Sequence, residues 1–428
     1  MNAGTARFPG DGRELAVHTD RFGRIHRERR PAPRGREPRM ERVEGPLERA
    51  WRDPARREAL RARALSRPNP HVEPDPDDPS RSLWTWVISA PDARRALLWM
   101  NPVFDHADVA RAEFARLAGS ELWTICLRLP AALRASYRVA VHTGDEEPGW
   151  RAASGRRPVI LAAMAASTPD ERCPTRVQGS GGRVSSVAAG PAAPADPLAE
   201  VSGEHARGAV TRLEMPDDER AWIYAPAGEW RDTPLLVLFD GDVWRRELPA
   251  LMDAAIGSGI LPPMHVAMLD AHDTDRRWER LGTPRGQVDV VIDELLPRVR
   301  HGWPVSSRGE DVIVSGQSLG GIAALWTVAL SSGTVGHAIA QSPSLWRFDI
   351  ADALLAADGW RSIRLQAGSF EGDMLEGAAR LSRHLAREAG ERRVDLEPAV
   401  GGHDWAVWRT NLFRALVAHP WRSRPAAV

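Results

Sequence analysis

DVIVSGQSLGG, residues 311–321, is a run of apolar residues that breaks off in a glycine-rich turn around Ser318. The residues that follow, IAALWTVALSS (322–332), have the composition of a buried helix. Strand, sharp turn and helix in that order are the context of a Gly-x-Ser-x-Gly elbow, which holds a serine on strained backbone with its hydroxyl exposed at the end of a sheet. Gly316 and Gly320 suit that reading because the elbow brings neighbouring backbone close, and Gly321 lets the helix pack tightly on the sheet. The competing reading is an ordinary structural corner. The two are separated by whether a histidine and a carboxylate follow in the right places.

Outward from the elbow, apolar runs recur with helical stretches between them. PLLVLFD (234–240), MHVAMLD (264–270), GHAIAQS (336–342), RSIRLQAG (361–368) and RVDLEPA (393–399) read as strands, while GQVDVVIDELLPRVR and EGAARLSRHLAREAG read as helices. Near-continuous apolar strands alternating with helices indicate a mostly parallel sheet covered on both faces. Residues 206–428 are therefore expected to form an α/β domain whose chemistry sits at the carboxyl ends of the strands.

Four histidines follow the serine. His337 lies inside a predicted strand, His384 inside an amphipathic helix and His419 beside Pro420, whereas His403, in AVGGHDWAVW, stands on a glycine-flanked loop after the last strand. A general base for Ser318 must sit on such a loop, so His403 is the choice. The acid should follow the preceding strand, where SFEGDM offers Glu371 and Asp373. Glu371 is favoured, because Asp373 suits a helix N-cap; the choice between them stays open. An oxyanion needs two backbone N–H groups: Leu319, next to the serine, supplies one, and the loop FDGDVW supplies the other through Asp242.

Residues 82–144 have a different texture. SLWTWVIS, ALLWMNPVF, ELWTICLRLP and SYRVAVHTG are short, apolar and punctuated by Pro, Gly and Asp, as in an all-β sandwich, placed here at 79–174. Residues 175–205 are small, polar and Pro/Gly-rich and read as a linker. Residues 1–78, rich in Arg and Pro and poor in large apolar side chains, read as a disordered tail. Within that tail PLERAWRDPARREALRARALS could form a short helix interrupted at Pro54.

Composition excludes several chemistries. Formal net charge is zero, so no global field draws in nucleic acid or an anionic membrane. All 57 basic residues are arginine, which removes Schiff-base lysines and phosphate-loop lysines. Cys126 and Cys173 are the only cysteines and lack any paired ligand spacing, so they read as reduced thiols and no metal site is expected. The N-terminus has no signal-peptide core, and no apolar run is long enough to span a membrane. A soluble, cytoplasmic protein is expected.

With these residues in hand, the chain resembles the enterochelin (enterobactin) esterase family of the esterase D-like α/β hydrolases. The resemblance is carried by VLFDGDVWRRELP, PPMHVAMLDAHDTDRRWERL, DELLPRV, VSGQSLGGIAALW, AIAQSPSLW and GGHDWAVWR, in that order. In the first half it is carried by RLAGSELWTICLRLP, SYRVAV and ADPLAE. It implies an α/β hydrolase preceded by a β-sandwich, a triad of Ser318, Glu371 and His403, and hydrolysis of the trilactone of a ferric tris-catecholate siderophore. Iron would enter only as part of the substrate, with no resident cofactor. Arg277 matches the family's arginine, with Arg276 beside it.

A polyanionic complex of flat rings also suits planar guanidinium groups and aromatic faces. That points to Trp244, Trp346 and Trp405 on the same loops as substrate-binding residues. Two departures are visible: the acid stands in SFEGD rather than an Arg-Glu-Pro context, and Arg347 replaces a second tryptophan after SPSLW. A general carboxylesterase or acyltransferase, and a non-catalytic siderophore-binding module, are the rival readings.

Overall fold

The computed structural model describes residues 15–29 and 40–420, apart from residue 391. Two packed units follow one another, a β-sandwich and an α/β domain.

One sheet of the sandwich has four strands, ordered His71–Pro74, Arg81–Ser89, Leu122–Pro130 and Ala115–Arg116. The other runs Arg176–Gln178, Val184–Ala189, Arg134–His142 and Arg95–Met100, with Ser167–Thr168 added beside Arg134–His142. All pairings are antiparallel. Trp84, Trp86 and Ile88 point into the core between the sheets. Val87, on the opposite face of the same strand, is equally buried, against Trp51, Ala64, Leu117 and Leu122. The segment from Met40 to Ser66 supplies that cover.

Here the structure corrects two sequence expectations. Residues 40–78 are not a disordered tail: they carry helices at Pro46–Ala50 and Arg57–Ser66, separated by a 3-10 turn at Pro54–Arg56, and the strand His71–Pro74. Few apolar residues are needed there because the segment folds onto a sheet whose outer face is already apolar. The interruption falls at Asp53 and Pro54, where the Asp53 carboxylate accepts from the Ala55 amide. Residues 1–14 and 30–39 of that tail lie outside the described residues. Residues 175–205 are likewise not a linker throughout, since Arg176–Gln178 and Val184–Ala189 are strands of the sandwich.

The α/β domain is built on an eight-stranded sheet ordered Ala209–Leu213, Ala221–Ala225, His265–Leu269, Leu235–Leu238, Val312–Gln317, His337–Gln341, Ser362–Gly368 and Arg393–Ala399. Counted along the chain, that order is 1-2-4-3-5-6-7-8. The first two strands join antiparallel and the rest are parallel. The helix Leu319–Leu330 is buried along its whole length, as a helix apolar on every side must be. It leaves the central strand at Ser318.

A buried ladder of amides crosses this sheet. Gln317, Gln341 and Gln366 stand in cross-strand register. Gln317 donates to Gln341 Oε1 at 2.7 Å, and Gln341 donates to Gln366 Oε1 at 2.7 Å. Trp244 Nε1 donates to Gln317 Oε1 at 3.3 Å at one end, and Gln366 donates to Glu397 at 2.8 Å at the other.

At the N-terminal end, strands Val17–Thr19 and Ile25–Arg27 form a hairpin. Asp20 closes its turn by accepting from the amides of Phe22 and Arg24 at 2.9 and 3.0 Å. The hairpin lies against the α/β domain through an ion pair between Arg21 and Asp293 at 2.6 Å.

Candidate active site

Ser318 occupies φ 60°, ψ −113°, a region that costs a non-glycine residue about 1–3 kcal/mol. Its amide donates to Gln341 O at 2.9 Å, and its carbonyl accepts from Ser344 N at 3.0 Å, which pins the strained turn to the loop after the next strand. A Cβ on Gly316 would stand 2.4 Å from Gly320 O, and one on Gly321 would stand 2.7 Å from Gln341 O. Those two glycines are dictated by contact. Gly320 is less constrained, its nearest neighbours standing at 3.3 Å.

The loop that receives Ser318 also holds the acid. Ser342 Oγ donates to Glu371 Oε1 at 2.7 Å, where the Gly368 amide donates as well, at 2.7 Å. Glu371 Oε2 stands 2.7 Å from His403 Nδ1. With Nδ1 committed to a carboxylate, Nε2 is the nitrogen left to face a nucleophile. Glu371 is almost completely buried while His403 is 42 % exposed, the arrangement of a fixed acid orienting an accessible base. Asp373 is exposed at the start of the helix Asp373–Glu388, and Glu371 is the carboxylate of the two that stands against His403. Ser318 Oγ rests 3.5 Å from Ser344 Oγ, and no hydrogen bond joins it to His403 among the described residues. In unliganded enzymes such contacts are commonly long and close when substrate binds.

Two residues that sequence reasoning passed over complete the support. Trp408 donates from Nε1 to Ser342 Oγ at 2.9 Å and meets the His403 ring edge-on, with centroids 4.6 Å apart. Ser342 thereby links tryptophan and acid. Both lie inside the quoted motifs AIAQSPSLW and GGHDWAVW, but only the fold shows that they converge.

The β-sandwich braces the histidine loop directly. Asn101 Nδ2 donates to His403 O at 2.8 Å, and Arg134 N donates to Val400 O at 3.0 Å. Asp404 Oδ2 accepts from Ser136 N at 2.6 Å, while its Oδ1 caps the helix Trp405–Val417 through Ala406 N at 2.9 Å. Burial pushes the Asp404 carboxyl up to about 6, against the pull of the Ser136 and Ala406 amides. A folded-state value above the ordinary 3.8 means that the native state holds the proton more tightly. The resulting stability is fully present below 3.8 and is lost as pH rises through about 6. We expect wild type to lose on the order of 3 kcal/mol relative to Asp404→Asn over that window, whatever their offset. Urea unfolding at several pH values measures it, and parallel curves for the two proteins would contradict it.

On the other side of the serine, Leu319 and Asp242 each occupy the first turn of a helix, where backbone N–H groups lack intrahelical acceptors. The Asp240 carboxylate, nearly buried, is forked by Arg277: Nε to Oδ1 at 2.6 Å and NH2 to Oδ2 at 2.9 Å. Arg277 also donates to Gln317 O at 3.3 Å. Its guanidinium is thus a brace for the turn that carries Asp242, while about a quarter of the side chain stays exposed. Removing it strands a buried carboxylate, so Arg277→Met is expected to lower unfolding free energy by about 3 kcal/mol and kcat by about tenfold. Denaturant unfolding and turnover of a small ester check both.

The remaining expected contacts divide. Arg276 pairs with the buried Glu219 at 3.4 Å. Trp346 is half-buried and stacks on Trp278, with centroids 5.8 Å apart and planes at 27°. Trp244, expected to touch substrate, is fully buried in the core beneath the site. It supports the amide ladder instead, because an indole at the base of this loop has no route to the surface. Trp405 stands edge-on to both Trp244 and Trp408 at 5.4 Å and packs against Val177 and Val187 of the sandwich.

Residues 83–199 match the family described as "Enterochelin esterase, N-terminal", and residues 214–419 match the family described as "Putative esterase". The chain belongs to the enterochelin esterase family. It carries the family's N-terminal domain and its esterase domain, and it is a carboxylic ester hydrolase.

Among the family's members, the iron(III) salmochelin esterase of Escherichia coli is 29 % identical over 350 residues, spanning 73 % of this chain and 81 % of that one. The iron(III) enterobactin esterase of Dickeya dadantii is 27 % identical over 382 residues, spanning 78 % and 87 %. The crystal structure of ferric enterobactin esterase from Salmonella typhimurium shares the fold with a TM-score of 0.70 at 24 % identity, covering 83 % of this chain and 98 % of that one. The Shigella flexneri enterobactin esterase, crystallised in the presence of enterobactin, has a TM-score of 0.69 at 23 % identity, covering 82 % and 96 %. No helix among the described residues is long and apolar enough to cross a membrane.

Proposed function

We propose that this protein hydrolyses the lactone esters of a ferric tris-catecholate trilactone siderophore, such as ferric enterobactin, and so frees iron in the cytoplasm. The observation that carries the reading is the pairing of both family domains in one chain, with the sandwich holding the loop of His403. Many esterases share the hydrolase half alone.

The geometry supports the following course of reaction. Ser318 Oγ attacks a lactone carbonyl while His403 Nε2 takes its proton, and Glu371 steadies the resulting imidazolium through Nδ1. The amides of Leu319 and Asp242 receive the oxyanion. The tetrahedral intermediate collapses as the ring oxygen leaves with the proton from His403. Water, deprotonated by His403, then attacks the acyl-enzyme and releases the acid and free Ser318. The stacked Trp278 and Trp346 and the exposed edge of Arg277 offer flat and cationic surfaces to a polyanionic ring system. Iron belongs to the substrate, and no step calls on a resident metal.

The test is product analysis by mass spectrometry with ferric and iron-free trilactone beside a p-nitrophenyl butyrate control. Each cut adds one water to the product. Preference for the trilactone by about a hundredfold or more in kcat/KM is expected. Equal or better turnover of the small ester would assign the protein to general carboxylesterase chemistry. Failure of a fluorophosphonate to label Ser318 would leave only a binding module.

A further inference from the structure

We infer that the N-terminal hairpin, Val17–Thr19 with Ile25–Arg27, together with Glu28, is a built-in strap that fixes the aromatic rim of the substrate site through Arg347. The hairpin precedes the first family match, which begins at residue 83, and Arg347 stands where the resemblance leads one to expect a second tryptophan. The two departures meet in space. Glu28 Oε1 accepts from Arg347 NH2 at 3.1 Å and Nε at 3.4 Å, and both side chains are about nine-tenths buried. The backbone joins in, Arg29 N donating to Arg347 O at 2.8 Å, with Arg29 also paired to Asp349. On either side of that anchor, His18 meets Phe348 edge-on at 5.4 Å and His26 meets Trp326 at 4.7 Å.

From Arg347 the connection reaches the site in one step. Its NH1 donates to Trp278 O at 2.9 Å and Leu281 O at 3.1 Å, and its guanidinium lies 5.3 Å from the Trp278 ring centroid. Trp278 stacks on Trp346. Trp278 also follows Arg277, the brace of Asp240, and Trp346 follows Ser344, the neighbour of Ser318 Oγ, by two residues. Arg347 thus ties together two segments, 272–282 and 342–349, that follow different strands, and Glu28 is the carboxylate the strap brings to it. Although burial alone would raise the Glu28 carboxyl, its hydrogen bond and charge pairing with Arg347 hold it below the usual range. It therefore stays ionised as a partner for the guanidinium at neutral pH. Glu28 is a positioning residue, acting on substrate through the stacked tryptophans.

The choice of substrate in this inference rests on the siderophore-esterase reading above, whereas the docking of the strap does not. The full chain is compared with Glu28→Ala, Glu28→Gln and a chain lacking residues 1–39. In Glu28→Ala we expect KM for the ferric trilactone to rise about threefold to tenfold, with kcat and the turnover of p-nitrophenyl butyrate changed by less than about twofold. Glu28→Gln, which keeps an acceptor but loses the charge, should fall between, and the truncated chain should match or exceed Glu28→Ala.

Without any substrate, amide hydrogen exchange should quicken in 276–282 and 345–350 of Glu28→Ala and nowhere else in the α/β domain. Unchanged exchange there, or KM rising equally for both esters, overturns the strap. If the trilactone is not cut by any variant, the proposed function fails. The exchange comparison then still decides docking: local quickening upholds it and its absence ends it. Should the truncated chain not fold, the two point variants carry the same decision.

Discussion

Ser318→Ala is expected to lower kcat on any ester by about 10⁵-fold or more while leaving the fold in place. The hydroxyl has no structural duty to lose, since its one hydrogen-bond neighbour among the described residues, Ser344 Oγ, lies at the outer limit of such a bond. The backbone bonds that hold the elbow are independent of the side chain. Alanine also keeps a Cβ on backbone at φ 60°, so the strain stays and unfolding should shift little. Ser318→Gly makes the complementary case: it is equally inactive, yet more stable by about 1 kcal/mol because glycine adopts that φ freely. Steady-state kinetics with urea unfolding reads both quantities. Retained turnover in either variant would remove the acyl-enzyme mechanism.

Glu371→Gln should cost about 10³–10⁴-fold in kcat through a single proton. Glu371 Oε1 already accepts from Ser342 and Gly368, so a glutamine in its place keeps its carbonyl oxygen there and turns its NH₂ toward His403 Nδ1. The imidazole must then accept at Nδ1 and carry its proton on Nε2, the wrong tautomer for receiving one from serine. The size and shape of the side chain are unchanged, and the unfolding midpoint should move far less than kcat. Asp373→Asn is the control, expected to stay within about twofold because that carboxylate is exposed at a helix start. A reversed pattern would move the acid to Asp373.

Much of this architecture is legible in the residues themselves, for reasons the structure makes plain. Five of the six parallel strands announce themselves because both faces of each are covered, which leaves near-continuous apolar runs, whereas the edge strand Arg393–Ala399 has no buried residue. Ala209–Leu213 and Ala221–Ala225 were harder to read: the first is an edge strand exposed over four of its five residues, so it carries no apolar signal. The cover formed by residues 40–66 could have been anticipated from the strand Arg81–Ser89. Apolar on both sides, that strand needs something beyond the second sheet to bury Val87.

The serine and histidine were readable because elbow and loop are local patterns. Choosing Glu371 over Asp373 needs to know where a helix begins, and discarding Trp244 needs to know which of 17 tryptophans lies beneath the surface. Neither fact is encoded locally.

The crossing row of Gln317, Gln341 and Gln366 has a direction. An indole N–H can only give, so Trp244 settles which way the first amide faces, and each neighbour must follow until the Glu397 carboxylate takes the last N–H. No member can rotate alone without setting two oxygens or two N–H groups against each other in the buried interior. Strand slippage by one residue would break every link at once. Evolution or redesign of this enzyme must therefore treat positions 317, 341 and 366 as a single unit, exchanged together or kept.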